Sequence, residues 1–413
     1  EDVKVNDLHP EVTTPSDFTW PNVPGMLSWL KARIRSFHIA GITYNKAGNK
    51  AMSIEKVTAQ AMWYLGMMNV KEILITAPEG SFYGILGANF ANHKISLQGR
   101  LLPHQALYGL DEHRITLKLA EEKKQRDING TIRIISMAGN SERVKLTTSV
   151  SILKGAITLN EIELREMGRS GALRGSVGID MFPVEHPFKI NLVFDGLGLS
   201  RELESTKTVS GMLEVKGDVK GYKGLFNVQT RGKPWAQIVA AVDFEGNYDG
   251  IHASNLQGKF LNGTVRGSVQ ASWVKGFLIS GILKARNIDT ALITPDWPGK
   301  INAELQGNIN WSDDGSPRGA VKFHLLESVL RNKPLKGYVD AQWSKGSLII
   351  SYGELRGNGF DLSARGALKD QISYQARVTD IGGIIPQGAG RFSAFGWVRE
   401  SKGNWTGILK AEG

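Results

Sequence analysis

The sequence predicts a mainly β protein, an elongated and curled antiparallel-rich sheet whose apolar face lines a groove. Apolar and polar residues alternate over long stretches, as in Ile301, Ala303 and Leu305, and this period of two is typical of strands with one apolar and one wet face. Turn dipeptides such as Asn262-Gly263 separate the stretches, as hairpin connections do. Similar segments also recur at intervals of about ninety residues, which indicates a modular body.

The recurrence is clearest around three glycines. Gly217, Gly307 and Gly396 lie in similar surroundings and are 90 and 89 residues apart. A second set of aligned glycines comprises Gly175, Gly267 and Gly366. A repeat that alternates in this way has an apolar face to bury, and glycine at one place on that face allows a bend or a close backbone approach.

The repeat predicts five segments of one continuous, elongated domain. Residues 1–39 form an N-terminal segment that acts as a cap or an edge. Residues 40–143 form a diverged first groove repeat. Two groove repeats follow at 144–234 and 235–334, and a truncated groove repeat occupies 335–413.

Helical periodicity is scarce and is confined to the first seventy residues. Residues 25–37, which follow Pro24, fit either a short helix or an edge strand. Residues 57–70 are a second, weaker helical candidate that Gly66 interrupts. The rest of the chain is expected to form strands, roughly six to eight for each repeat.

The groove lining is predicted from the apolar positions of the alternating stretches. Its members come from the last three repeats. They are Leu173, Val177, Ile179, Ile190, Leu192, Phe194, Val215, Val219, Val265, Val269, Trp273, Phe277, Ile279, Leu283, Ile301, Leu305, Ile309, Trp311, Phe360, Leu362, Leu368, Ile372, Tyr374 and Val378.

Composition and motifs favour a protein without a catalytic centre. The chain has no cysteine, which excludes disulfides and thiolate metal sites and fits an oxidising compartment. The eight histidines lack metal-ligand spacing, and no glycine-rich phosphate loop opens a helix. We therefore expect no enzyme activity, no catalytic residues, no metal and no cofactor.

The net charge of +10 is expected to be solvated rather than to bind nucleic acid. Basic residues of the alternating stretches fall at the polar positions, so a wet outer face explains them and no nucleic acid partner is predicted. Examples are Arg266, Lys284, Arg286 and Arg365. Rim lysines and arginines could meet anionic headgroups if lipids occupy the groove.

A long apolar groove suits the acyl chains of phospholipids. Each exposed methylene costs about 0.8 kcal/mol, so a chain of about sixteen carbons costs roughly 13 kcal/mol in water. A continuous apolar wall would remove this barrier and would need no reactive group. The alternative is a scaffold that offers sheet edges to client polypeptides.

The order of several segments resembles the TamB/AsmA-like family of bacterial envelope proteins. The segments that carry the resemblance are Trp20-Pro21, Val23-Pro24, 75–81, 288–292, 295–301, 334–341, 346–350 and 355–366. Each segment is degenerate alone, and the serial order gives the specificity.

The resemblance implies a taco-shaped β-groove in the periplasm, tethered to the inner membrane by an N-terminal helix. It implies movement of phospholipids between the inner and outer membranes of a Gram-negative cell, or assistance in the assembly or translocation of outer-membrane proteins. A TamA-type outer-membrane barrel is the implied partner. The chain starts at Glu1 and contains no run of about twenty apolar residues, so the anchor and the family's C-terminal domain are expected to lie outside it.

Overall fold

Antiparallel strands dominate both units into which the chain divides, residues 1–197 and 198–413. The computed structural model describes residues 31–44, 52–106, 109–122, 127–169, 171–181, 185–198, 206–233, 237–274, 276–311, 317–344, 346–383, 388–401 and 404–413. The two units are described separately.

The first unit contains eleven strands within its described residues. They are β1 (Lys31–Tyr44), β2 (Met52–Tyr64), β3 (Met67–Ala77), β4 (Gly80–Asn89), β5 (Lys94–Pro103), β6 (Glu112–Glu122), β7 (Asp127–Ala138), β8 (Ser141–Leu153), β9 (Ala156–Glu166), β10 (Ala172–Asp180) and β11 (Phe188–Gly198). Each strand pairs antiparallel with the next one in the chain.

The second unit contains fourteen strands within its described residues. They are β12 (Thr206–Gly217), β13 (Tyr222–Gly232), β14 (Ile238–Asn247), β15 (Gly250–Phe260), β16 (Gly263–Ser272), β17 (Phe277–Asp289), β18 (Gly299–Trp311), β19 (Pro317–Leu330), β20 (Lys333–Ser344), β21 (Ser347–Gly357), β22 (Phe360–Ala367), β23 (Gln371–Val378), β24 (Phe392–Ser401) and β25 (Asn404–Glu412). These strands also pair antiparallel in chain order.

The predicted mainly β, antiparallel class is confirmed. The described residues contain no α-helix, and the only helical pieces among them are 3₁₀ turns at Thr290–Leu292 and Ile381–Gly383. No pairing in the described part of either unit joins its first strand to its last, so the sheet is not closed. None of the helical segments described is long and apolar enough to cross a membrane.

The helical prediction for 57–70 is wrong, because this segment forms β2, a turn and the start of β3. Leu65 and Gly66, with φ of 50° and 69°, make the two-residue connection that such a hairpin requires. A register shift between Thr58 and Gln60 disturbs the alternation and explains the misleading period. Residues 31–37 lie in β1, so the edge-strand alternative holds for them, and residues 25–30 are outside the described part.

β-Bulges bend the strands of both units. Register shifts occur in consecutive pairs of the second unit, for example at Ala285/Ile288 between β17 and β18 and at Leu325/Ser328 between β19 and β20. Asn287, at the first of these bulges, has a φ of 56°. An extra residue on one strand of a pair bends that strand and increases its twist, which is the local cause of curling.

Two long connections in the second unit resemble each other. They follow β17 and β23, whose last residues, Asp289 and Val378, are 89 residues apart. Each connection contains one of the 3₁₀ turns. At each turn an aspartate accepts the amide proton two residues ahead, Asp289 from Ala291 (3.1 Å) and Asp380 from Gly382 (3.0 Å). Six strands therefore separate similar loops in this unit.

The aligned glycines lie where neighbouring strands approach closely. A Cβ atom at Gly175, Gly267 or Gly366 would overlap with a backbone oxygen of the adjacent strand, and one at Gly396 would overlap with the oxygen of Ile408. Gly307 has more room, since its Cβ would lie 3.0 Å from the oxygen of Ala320. Close approach explains most of these glycines.

Candidate functional site

Cross-strand pairing in the second unit places the apolar positions of fourteen strands on one face. Residues that pair directly share a face, so the register can be followed from strand to strand. One such row runs through Leu256, Gly267, Leu283, Leu305, Phe323, Val339, Gly353, Ala364, Tyr374, Gly396 and Leu409. We call this side of β12–β25 the apolar face of the second unit.

This apolar face is almost free of charge. At its described paired positions, only Lys333 and Glu400 are charged, and both lie close to a strand end. The opposite face, which we call the polar face of the second unit, contains the predicted outer cations, as in the pairs Arg266–Lys284 and Thr264–Arg286. Arg365, paired with Ser373, lies there too. The predicted separation of apolar and basic residues is confirmed.

Fifteen of the predicted lining residues lie on the apolar face of the second unit. The pairing brings them together although they come from six strands. They are Val215, Val265, Val269, Phe277, Ile279, Leu283, Ile301, Leu305, Ile309, Trp311, Phe360, Leu362, Ile372, Tyr374 and Val378.

Six predicted residues share one face of the first unit. Leu173 pairs with Phe194, and Ile179 and Val177 lie on the same side of β10. The remaining members, Ile190 and Leu192, are on β11 opposite Val177 and Gly175. This apolar face of the first unit continues through β9 to β3, for example at Leu164, Leu146, Ile134, Ile115 and Leu97.

Three predicted residues lie beyond the ends of strands. Val219 is in the turn after β12, where the Asp218 carboxylate accepts the amides of Lys220 (2.7 Å) and Gly221 (3.0 Å). Leu368 begins the turn after β22. Trp273 directly follows β16, and its indole Nε1 donates to the oxygen of Tyr248 at 2.5 Å.

Many members of the two apolar faces are absent from the predicted groove lining. In β19 and β20 the alternation of Val321, Phe323 and Leu325 and of Val339, Ala341 and Trp343 was readable and could have identified them. In β21 a bulge moves the apolar face from Leu348 and Ile350 to Gly353 and Leu355, and simple alternation cannot follow such a shift.

The apolar face of the second unit is packed around Ala303 and Leu325, whereas several large side chains elsewhere on it are exposed. Ala303, Leu325 and Leu335 are buried, and Ile301 and Phe360 are among the side chains packed against them. Elsewhere on this face, large side chains remain in contact with solvent. Exposed fractions are 38% for Leu305, 44% for Ile309, 41% for Phe277 and 40% for Trp343. Exposed apolar surface of this extent is typical of a surface that binds something.

Ion pairs lie on the polar faces of both units. Lys284 Nζ lies 3.0 Å from Glu304 Oε2, and Arg174 Nε lies 3.2 Å from Glu163 Oε1. Hydrogen bonds from Arg165 and Arg174 lower the pKa of Glu163. These exposed pairs contribute little to stability, since solvent screens them, but they keep these faces wet.

The described residues contain no candidate metal centre. No group of three or more His, Asp or Glu side chains within the described ranges is placed to hold a metal ion. The sheet therefore offers an open apolar face, and its opposite face is charged and solvated.

An open antiparallel sheet with one charge-poor apolar face defines a class of binding or scaffold protein. The chain matches the family model for TamB, N-terminal domain, over residues 9–396, and it therefore belongs to the TamB family. No curated protein matches the chain. Membership places it in a bacterial envelope family of non-enzymatic transport or scaffold proteins, associated with envelope lipid transport or outer-membrane protein assembly.

Proposed function

We propose that the apolar faces of this chain hold the acyl chains of phospholipids and form part of a route between the inner and outer membranes of a Gram-negative cell. The observation that supports this most directly is the apolar face of the second unit, which is charged at its described paired positions only near strand ends. An acyl chain on this face would contact an apolar surface. No unpaired charge would have to be desolvated when it binds.

The partial exposure of the face supports a ligand rather than a closed core. Leu305 lies in the middle of β18 and Ile309 lies near its C-terminal end. Their exposed fractions are 38% and 44%. Covering such surface with hydrocarbon contributes about 25 cal/mol for each Å² removed from water. Each further strand would extend the apolar surface and would need no additional polar or reactive group.

The proposal includes the setting of the protein. We place it in the periplasm, with the inner membrane reached through an N-terminal anchor and with a TamA-type outer-membrane barrel as partner. The predicted groove repeats at 144–234, 235–334 and 335–413 would each lengthen the apolar wall. Loops with the same aspartate–amide hydrogen bond after β17 and β23 support a repeat of six strands in the second unit.

Site-specific photo-crosslinking tests the proposal. A benzophenone amino acid at Ile309 is expected to crosslink phospholipid in living cells, because this position faces the apolar side. The same amino acid at the adjacent Asn308, on the polar face, is the matched control and is expected to give no lipid adduct. Equal lipid labelling at both positions, or no lipid adduct at Ile309, would contradict the proposal. Adducts with polypeptide at a sheet edge, without lipid at Ile309, would instead support the scaffold alternative.

A further inference from the structure

A cavity on the polar face of the second unit is not used by the proposed acyl-binding surface. It has a volume of about 340 Å³ and lies across β15 to β19. Its polar lining has one charged member, Lys322, and six uncharged ones, His252, Ser268, Gln270, Ser280, Gln306 and Asn308. Val269, Gly281, Ile282, Gly307 and Ala320 complete the lining. The pairs Ser280–Asn308, Gln270–Ser280 and His252–Gln270 place these side chains on the face opposite the acyl-binding surface.

The lining offers unused hydrogen-bonding groups in a concave surface. Among the described residues, the side chains of Ser268, Gln270, Ser280 and Gln306 have no hydrogen-bond partner. Asn308 is held in place because its Oδ1 accepts the amide proton of Ala320 at 3.2 Å, which leaves its Nδ2 for a ligand. Convergent amides and hydroxyls are the groups that recognise neutral polar ligands.

An aromatic ladder borders the cavity on the same face. His324, Tyr338 and Tyr352 come from the successive strands β19, β20 and β21. Ring centroids are 6.1 Å apart for His324 and Tyr338 and 6.2 Å apart for Tyr338 and Tyr352. Lys322 connects the two features, since it lines the cavity and lies two residues before His324. Rings of this kind offer apolar contact area to the C–H faces of sugar rings.

Charge argues against an anionic ligand. The two lysines near the cavity have carboxylate neighbours, with Lys322 Nζ 3.9 Å from Asp340 Oδ2 and Lys284 Nζ 3.0 Å from Glu304 Oε2. A phosphate or a headgroup would have to compete with these carboxylates. Peptides usually bind sheet edges or apolar grooves, whereas the cavity lies on a polar face whose strands β16 to β18 are paired on both sides.

We propose that the cavity and the aromatic ladder together form a binding strip for an extended, uncharged glycan rich in N-acetyl groups. The carboxamides of Gln270, Gln306 and Asn308 match the donors and acceptors of acetamido groups. From β15 to β21 the strip crosses seven strands, roughly 29 Å at about 4.8 Å for each step, which accommodates several sugar units. The strip would let the protein hold a polysaccharide on its outer side without disturbing the apolar face.

Titration with chitohexaose, the hexamer of β-1,4-linked N-acetylglucosamine, tests this inference. We expect saturable binding by calorimetry and by saturation-transfer NMR at millimolar ligand. The double variant Gln306→Ala/Asn308→Ala and the variant Tyr352→Ala are each expected to bind at least about tenfold more weakly, since each loses hydrogen bonds or ring contact.

The matched control is Gln375→Ala, a glutamine on the polar face of β23, outside the strip, which is expected to bind like the unmodified chain. Circular dichroism checks that all variants are folded. No saturable binding by the unmodified chain, equal binding by all variants, or tighter binding of a Ser/Asn-rich peptide would overturn the proposal. Lipid content of the same samples is independent of these outcomes, so this inference and the proposed function can fail separately.

Discussion

At the scale of single residues, the buried hydroxyl of Ser328 connects two bulged strands. Its Oγ accepts the amide proton of Asn302 at 2.9 Å and donates to the oxygen of Asn302 at 3.0 Å. Asn302 Oδ1 in turn accepts the amide proton of Asn287, the bulge residue on β17. One side chain thereby satisfies backbone groups that the regular ladder leaves open.

Ser328→Ala is expected to lower the free energy of unfolding by about 1–3 kcal/mol, because the amide and the oxygen of Asn302 lose their partner in a buried place. Ser351→Ala, at an exposed position of β21, is the control and is expected to change stability by less than about 0.5 kcal/mol. Urea unfolding of both variants measures the difference, and equal midpoints would contradict the role given to Ser328.

The titration of Asp289 is expected to make the free energy of unfolding depend on pH. The hydrogen bond from Lys300, at 2.8 Å, is the main cause that lowers its pKa, with a smaller contribution from the amide of Ala291. A carboxyl whose pKa is lower in the folded state stabilises the fold above its ordinary pKa of about 4, and this contribution is lost as pH falls through the lower value.

Asp289→Asn is therefore expected to destabilise the protein at neutral pH and to differ progressively less from the unmodified chain as the pH falls below about 4. Thermal unfolding across this pH range measures the effect. A difference between the two proteins that stays constant from pH 7 to pH 3 would show that the carboxylate charge has no part in the loop.

At the scale of strands, the turn signals and the alternation predicted hairpins well, whereas the bulges were invisible. Asn262-Gly263 marks a true connection, with Leu261 and Asn262 at φ of 47° and 58°. No residue type indicates that the alternation of β21 shifts by one residue between Ile350 and Gly353, so that odd-numbered positions follow even-numbered ones on the apolar face. Bulges follow from the match between two strands, so one strand's sequence does not contain them.

The prediction of helix at 57–70 failed for a related reason. Ala59, Ala61 and Met62 combine good helix propensity with a bulge-disturbed alternation, and pairing with β1 and β3 overrides that propensity. Local sequence could not decide the matter because the deciding contacts are with other strands.

Two aligned glycines should respond differently to a methyl group. Gly267→Ala is expected to cost about 1–3 kcal/mol of stability, because the new Cβ would overlap with the oxygen of Ile282 and push β16 away from β17. Gly307→Ala is the matched control on β18, and it is expected to cost less than about 1 kcal/mol, since its Cβ would lie 3.0 Å from the nearest atom.

Urea unfolding of the two alanine variants tests this difference. Equal destabilisation would mean that the glycines are required for backbone freedom and not for close approach between strands. Hydrogen exchange at β16 and β17 locates the effect, which is expected to be stronger in Gly267→Ala.

At the scale of the whole molecule, the sequence predicted the chemical character of the site better than its extent. Twenty-one predicted lining residues lie on the apolar face of the unit to which they belong. The predicted lining contains no residue of β3–β9, β13–β15, β19–β21, β24 or β25, because it was taken from the segments in which the repeats align best. The role of these residues toward lipid stays a prediction.

The assignment of the chain to the TamB family was also predictable from the serial order of degenerate segments, and the family match over residues 9–396 confirms it. The polar-face cavity was not predictable, since its members are ordinary wet positions of five strands. Only the register brings Gln270, Ser280 and Asn308 side by side.

Direct analysis of bound lipid tests the central claim. The chain is purified from the periplasm of a Gram-negative host, extracted with organic solvent and examined by mass spectrometry, together with Leu305→Asp and its neighbour Gln306→Asp. A carboxylate on the apolar face should cost about 3 kcal/mol against hydrocarbon, so Leu305→Asp is expected to lose phospholipid on the order of a hundredfold. Gln306→Asp, on the polar face, is expected to retain it. Absence of phospholipid from the unmodified folded chain, or equal lipid in both variants, would contradict the account.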